Sequence, residues 1–275
     1  MNILITNDDG ISSFGLKVLY NTFKETDILY VVAPSSEKSG SSHAISLFKP
    51  IYYDILEKNI ISLEGLPVDC VVTGLRGFFK DIKFDILLSG INKGPNLGND
   101  IFYSGTFAAA MRAAEEGLFS FAFSISTYTE PYLFSDCSES IKIIVEKILL
   151  AKKDILKRAA KFYKNIYPEI NNNTIEEEIS ENITAAFNIN FPPFDIDPLK
   201  IKPAYISKRD YKDKIIFESK KAENFVVIEG EIPESSNLCF VDSYLIKQGY
   251  TSITPIFYTN YGTPFIYPEA LNDIF

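Results

Sequence analysis

The sequence predicts an α/β protein, a parallel sheet flanked by helices with a β-rich extension at its C-terminal end. Three observations carry that expectation. Short apolar runs recur at Asn2–Thr6, Ile28–Ala33, Phe84–Leu88 and Phe119–Ile125, each the length of a buried strand. Segments of helical spacing lie between them, the alternation that gives parallel sheets. Beyond Pro192 the pattern changes to short strand-like pieces separated by turns.

Each element has its own justification. After Asn2–Thr6, Leu16, Leu19, Tyr20 and Phe23 fall at i, i+3, i+4 and i+7, one face of a helix. Ile28–Ala33 is a fully apolar strand stopped by Pro34, and a strand pair is expected near Ile51–Ile55 and Ile60–Leu63. Pro67 opens a helix whose inner face is Val68, Val71, Val72 and Leu75, since proline suits the first helical turn. Phe84–Leu88 is the next buried strand, Ser104–Gly117 an Ala-rich helix, and Phe119–Ile125 another strand. One long helix is expected from Glu139 to about Tyr163, with Ile141, Ile144, Val145 and Ile148 as its core stripe. The acidic stretch Asn171–Asn182 reads as a solvated loop or helix end. Thr184–Phe191 alternates, with Ala185, Phe187, Ile189 and Phe191 on one side, which predicts a half-exposed strand. Short strands are expected at Ala204–Ser207, Ile215–Glu218, Phe225–Ile228 and Leu238–Val241. The expected division is a core of residues 1–192 and an extension of residues 193–275, with a soft boundary near Pro192–Pro203.

Composition excludes several functions. The net charge of −9 over 275 residues disfavours gripping a nucleic-acid polymer, which needs clustered Lys and Arg. A small anionic substrate remains compatible, because a metal and oriented backbone N–H groups supply positive potential locally. The three cysteines, Cys70, Cys137 and Cys239, form no CxxC pair, which fits a reducing compartment and argues against a thiolate zinc site. The single histidine, His43, excludes a multi-histidine metal set within one chain. The short apolar run at Ile3–Ile5 is no signal peptide, and no segment approaches a membrane span, so the cytoplasm is the expected location.

The chemistry is concentrated in three loops after apolar strands: Asn7-Asp8-Asp9-Gly10, Ser39-Gly40-Ser41-Ser42 and Ser89-Gly90-Ile91-Asn92-Lys93-Gly94. In an open parallel sheet such loops gather where ligands bind. An Asp-Gly turn can aim both carboxylates at one point, and two like charges so close call for a dication. With a serine hydroxyl and an asparagine oxygen they make an all-oxygen set suited to Mg²⁺ or Mn²⁺. The alternative is that Asp8 and Asp9 only cap the helix near Phe14. Further on, Tyr103-Ser104-Gly105-Thr106 at a helix start offers N–H and O–H donors to a phosphate, or else is a plain N-cap. His43 reads better as a structural group holding the Ser39 loop than as part of a Ser–His–Asp triad.

Taken together, ILITNDDG at the start, SGSSHAIS at 39–46, SGINKGPNLGNDIFYSGT at 89–106 and GYTSITP at 249–255 closely resemble the SurE family, over nearly the whole chain. The resemblance implies a Rossmann-like core and a metal-dependent phosphatase of nucleoside 5′-monophosphates, often also of 3′-monophosphates and short polyphosphate. It implies Asp8, Asp9, Ser39 and Asn92 as metal ligands, and Asn96, Ser104, Gly105 and Thr106 as the phosphate site. It further implies a C-terminal extension exchanged between subunits, giving a homodimer or homotetramer. Arg112 and Ala113 depart from the family's acid and glycine behind the phosphate loop, and Lys202–Val241 matches loosely.

The mechanism expected from this set places one divalent cation on Asp8, Asp9, Ser39 and Asn92. Asp8 is then general base or nucleophile, and the Ser104–Thr106 turn with Lys93 steadies developing charge. Haloacid-dehalogenase-like phosphatases carry DxDx[TV] rather than adjacent acids. A signalling receiver needs an aspartate where Phe84–Leu88 leads into Ser89-Gly90. The remaining alternative is a metal-dependent nucleotide- or phosphate-binding protein without turnover.

Overall fold

Asn2–Thr6 (β1) sits inside a mostly parallel sheet, and its alternation dictates the layers. Ile3 and Ile5 enter one core and Leu4 the other, all three fully buried. A strand buried on both faces needs a helical layer on each. In the computed structural model, α1 (Phe14–Phe23), α4 (Leu133–Leu150) and α5 (Lys152–Ile166) share the core of Ile3. On the Leu4 side lie α2 (Pro67–Thr73) and α3 (Gly105–Glu115). The structure describes all residues except 130–132, 168–181, 221–222, 232, 235 and 260–261.

The other strands of the sheet are β2 (Ile28–Pro34), β3 (Tyr53–Glu57), β4 (Ile60–Leu63), β5 (Ile86–Lys93), β6 (Phe119–Ile125), β7 (Ile183–Phe191), β8 (Ile201–Pro203), β11 (Thr251–Thr259) and β12 (Gly262–Ile266). Their order is β12-β11-β7-β6-β5-β1-β2-β4-β3, with β8 beside β11. β7 through β4 run parallel, whereas β3, β11 and β12 join antiparallel. A separate hairpin holds β9 (Lys214–Lys220) and β10 (Glu223–Glu229), and α6 spans Asp242–Lys247. From β1 the chain moves to β2 on one side, then returns to lay β5 on the other. That reversal opens a crevice at the carboxyl ends of β1 and β5, the place where open α/β sheets bind ligands.

Several expectations are corrected. The strand expected to stop at Leu88 continues to Lys93, because a bulge absorbs one extra residue: Ser89 pairs with Ala122, but Asn92 with Ser124. Gly90 allows this with φ +128, and a Cβ there would lie 2.4 Å from the Phe123 carbonyl oxygen. The single helix expected over 139–163 is two, α4 and α5, broken at Ala151 (φ −89, ψ 4), which lets α5 bury Ile155, Ala159 and Tyr163. β7 is not half-exposed: Ala186, Asn188 and Asn190 on its second face are buried as well.

In the C-terminal part, Ile215–Glu218 and Phe225–Ile228 do pair, as the hairpin. Ala204–Ser207 and Leu238–Val241 are not strands and contribute a single bridge, Tyr205 to Val241. β11, β12 and α6 were not expected. Pro255 argues locally against a strand inside a sheet, yet it pairs with Phe187 there. Residues 171–181 of the acidic stretch lie outside the described residues. Among those described, no helix is long and apolar enough to cross a membrane.

Candidate active site

The turn after β1 is built by Asn7. Its amide donates to the Gly10 carbonyl (2.9 Å) and to the Ser13 hydroxyl (2.7 Å). Ser13 then caps α1 by accepting from the Leu16 N–H at 3.3 Å. The cap is therefore a serine, and Asp8 and Asp9 have other work. Asp8 is buried and accepts twice from Thr106, from its hydroxyl at 2.5 Å and its N–H at 3.2 Å. Asp9 accepts the Lys93 N–H at 3.1 Å, at the end of the bulged β5.

The other two loops close on the same place. The Lys38 N–H donates to the Asp8 carbonyl (2.7 Å), and the Ser39 hydroxyl donates to Glu37 Oε1 (2.9 Å). Asn92 gives its amide N–H to the Gly94 carbonyl (2.8 Å), an arrangement that leaves its side-chain oxygen free to face a cation. Ser104 caps α3 by accepting the Phe107 N–H at 3.0 Å. Glycine at 105 permits a close approach, since a Cβ would stand 2.6 Å from the Ser41 hydroxyl and 3.0 Å from Asp8 Cβ. This close approach is what brings the N-terminus of α3 against Asp8.

Asp8, Ser39, Asn92, Asn96 and Ser104 line one open cleft of ≈ 360 Å³, together with Lys93, Tyr103, Tyr128 and Tyr211. Asp9, bound to the Lys93 backbone, is not among the residues lining this cleft, while Gly105 and Thr106 form the backing of Asp8. The Thr106 hydroxyl, read from sequence as a phosphate donor, is fully buried and spent on Asp8. Burial pushes the Asp8 carboxyl above the usual range, against the Thr106 hydrogen bonds that lower it. Burial first and the Asp8 charge second push Asp9 up to about 6, and Glu37 adds repulsion at both.

A dication relieves such a pair. Among the described residues no three His, Cys, Asp or Glu side chains gather at one point, so a cation here would have to rely on two carboxylates plus neutral oxygens. The donor set fits one: two acids, a serine whose proton goes to Glu37, and an asparagine whose N–H is engaged elsewhere.

Sequence reasoning missed what holds the third loop. Asn188 and Asn190 on β7 both donate to the Asn96 carbonyl (2.8 and 3.1 Å), and Asn190 accepts the Asn96 N–H at 2.8 Å. The Asn96 side chain donates to Ser124 at 2.8 Å. Asp242, fully buried, accepts the Gly98 N–H (2.7 Å) and the Ser207 N–H (3.0 Å), tying the loop to the C-terminal segment. Two asparagines within the apolar strand FNINF were the available signal, since asparagine is depleted in strands. Glu37 and Asp242 gave none. His43 is exposed and bonds to nothing in the Ser39 loop among the described hydrogen bonds, so the structure does not give it the holding role. Arg112 points its charge at Glu115 and Glu116 (2.8 and 2.5 Å), at the end of α3 remote from Ser104, and Ala113 is fully buried.

The chain matches the family model described as Survival protein SurE over residues 3–213. It is 34% identical to the 5′-nucleotidase SurE of Petrotoga mobilis over 271 residues, 95% of each chain. Identity to the 5′-nucleotidase SurE of Campylobacter jejuni subsp. doylei is 37% over 263 residues, covering 92% of this chain and 90% of that one. The crystal structure of the SurE protein from Aquifex aeolicus superposes with a TM-score of 0.69 at 28% identity, covering 93% of this chain and 92% of that one.

Proposed function

The chain belongs to the SurE family, and from that premise we propose that it hydrolyses nucleoside 5′-monophosphates to nucleoside and phosphate, with 3′-monophosphates and short polyphosphate as further substrates. One observation carries the reading: the three strand-end loops meet around Asp8, with the N-terminus of α3 packed directly against it.

Asp8, Asp9, Ser39 and Asn92 would hold one Mg²⁺ or Mn²⁺ per subunit. When bound, the ion supplies Lewis acidity to the phosphoryl group. The chain's own residues do the rest. In the first turn of α3, Thr106 gives its N–H to Asp8 and Phe107 gives its own to Ser104, which leaves the Gly105 N–H for a phosphate oxygen. Asn96 and the Lys93 ammonium, both on the cleft wall, orient and neutralise the phosphate. Asp8, fixed by two bonds from Thr106, serves as general base toward the attacking water or as the nucleophile itself.

Assembly belongs to the extension of residues 193–275. Ile215, Phe217, Val226 and Ile228 share one exposed face of the β9–β10 hairpin, which fits exchange between subunits of a homodimer or homotetramer. The cytoplasm is the compartment that the free thiols fit.

Phosphate release from AMP decides the matter. Protein dialysed against EDTA should release none, and Mn²⁺ or Mg²⁺ should restore release. Full activity in excess chelator would remove the cation site. Tight AMP binding with no release under either cation would establish a binding protein instead.

A further inference from the structure

The floor of the cleft is polar and its outer wall is aromatic. Tyr128 lies against the phosphate-side loop so closely that a Cβ on Gly94 would stand 2.4 Å from its ring. Tyr211 comes from the C-terminal segment, outside every motif that carries the resemblance, and its hydroxyl donates to Asp100 Oδ2 at 2.7 Å. Arg209 holds the same oxygen at 2.7 Å, gives its N–H to Asn99 at 2.6 Å, and sets its guanidinium 5.4 Å from the Tyr211 ring. That ion pair is largely shielded from solvent, with 10% and 14% of the two side chains exposed. Tyr211 is thus anchored at its hydroxyl while its ring lines the cleft, and Tyr128 remains 65% exposed beside it.

Such rings are costly to leave in water and gain by stacking. A phosphate at the α3 N-terminus places the group esterified to it toward this wall. We propose that Tyr128 and Tyr211 form a stacking platform for the nucleobase, so that the enzyme prefers nucleotides over base-free phosphate esters without choosing among bases. Ring faces accept any base, whereas discrimination among bases needs hydrogen bonds to their edges. Asp100 and Arg209 act as positioning residues for Tyr211. The proposal rests on the nucleotidase reading above, whose phosphate site it extends.

The test compares kcat/KM for AMP, UMP and ribose 5-phosphate in the Mn²⁺-loaded enzyme and in Tyr128→Leu, Tyr211→Leu and Tyr128→Phe. Each leucine variant should lower the ratio of AMP to ribose 5-phosphate by about tenfold, chiefly through KM, while Tyr128→Phe retains it. Adenosine, which carries the base without phosphate, should bind the wild type about tenfold more tightly than either leucine variant by calorimetry. Wild-type turnover of nucleotides with unchanged ratios and unchanged adenosine affinity in both leucine variants would overturn the platform and leave the nucleotidase reading intact. Adenosine binding that depends on the two rings, with no phosphate released from any nucleotide, would keep the platform and overturn the nucleotidase reading.

Discussion

At the floor of the cleft, side chains from distant parts of the chain are tied to one another; on the β9–β10 hairpin, apolar side chains face solvent. Asp8 is gripped by Thr106, and Asn96 by Asn188, Asn190 and Ser124, across separations of 28 to 98 residues. Phe217 on the hairpin is 82% exposed. The floor spends folding energy on fixing polar atoms, and each bond has its value because the alternative is a buried group without a partner. The hairpin leaves its apolar face in solvent, where the proposed assembly would cover it. Substitutions in the first region should therefore act on chemistry and monomer stability, and those in the second on assembly alone.

The largest effect belongs to Asp8. Asp8→Asn keeps the shape and the acceptor for the Thr106 hydroxyl but removes a charge and the proton acceptor, so kcat should fall by ~10²–10⁴. Stability should respond in the opposite sense. The neighbouring Asp9 has its carboxyl raised from 3.8 to about 6, partly by Asp8. In cation-free protein its stabilising contribution is fully present below the unfolded value and lost as pH rises through about 6. Removing the Asp8 charge lets the Asp9 carboxyl fall back toward its ordinary value, so in thermal melts with EDTA that loss should be smaller and complete at lower pH. Wild-type kcat in Asp8→Asn would dissolve the contrast at its most important point.

What could be read in advance follows from how local each cause is. β1 and β2 were legible because a strand buried in the middle of a parallel sheet is a nearly continuous apolar run. The turn through Asp8, Asp9 and Gly10 and the Ser104 cap were legible because Asp-Gly turns and serine caps declare themselves within a few residues. The β5 bulge was not, since Gly90 is required by the Phe123 carbonyl of a neighbouring strand. Nor was the task of Thr106: a hydroxyl at a helix start suits a phosphate as well as a carboxylate 98 residues away. Asn188 and Asn190 alternate with Phe187, Ile189 and Phe191, and polar positions at period two ordinarily mean a solvated face. Here that face meets the Asn96 loop instead.

That reversal yields the next effect in size. Asn190→Val suits a strand better and fills similar space, yet it strips the Asn96 N–H of its acceptor and leaves the carbonyl only Asn188. An unpaired buried group costs ~1–3 kcal/mol, which urea unfolding resolves. The loosened loop should also raise KM for AMP, because Asn96 lines the cleft. A variant as stable as the wild type with unchanged KM would mean that water replaces the asparagine without loss.

The smallest effect on the monomer should come from the hairpin. Cross-strand pairing sets Phe217 opposite Val226 and Ile215 opposite Ile228, so the four side chains stand on one face. Of these, Phe217 is 82% and Ile228 70% exposed. Replacing Phe217 and Ile228 together with serine removes apolar area that the single chain leaves mostly exposed. Surface changes of this kind shift stability by about 0.5 kcal/mol or less. Unfolding at a concentration where the wild type is monomeric should therefore show no more than that, and the Asp100–Arg209–Tyr211 anchor, which lies before β9, should keep kcat for AMP. Sedimentation should respond strongly, with the wild type forming a dimer or tetramer and the double variant remaining monomeric at the same concentration. Equal sedimentation of the two would take assembly away from this face. A loss of several kcal/mol in dilute protein would show that the hairpin folds back on its own chain, and the contrast between a self-satisfied floor and a waiting hairpin would fail with it.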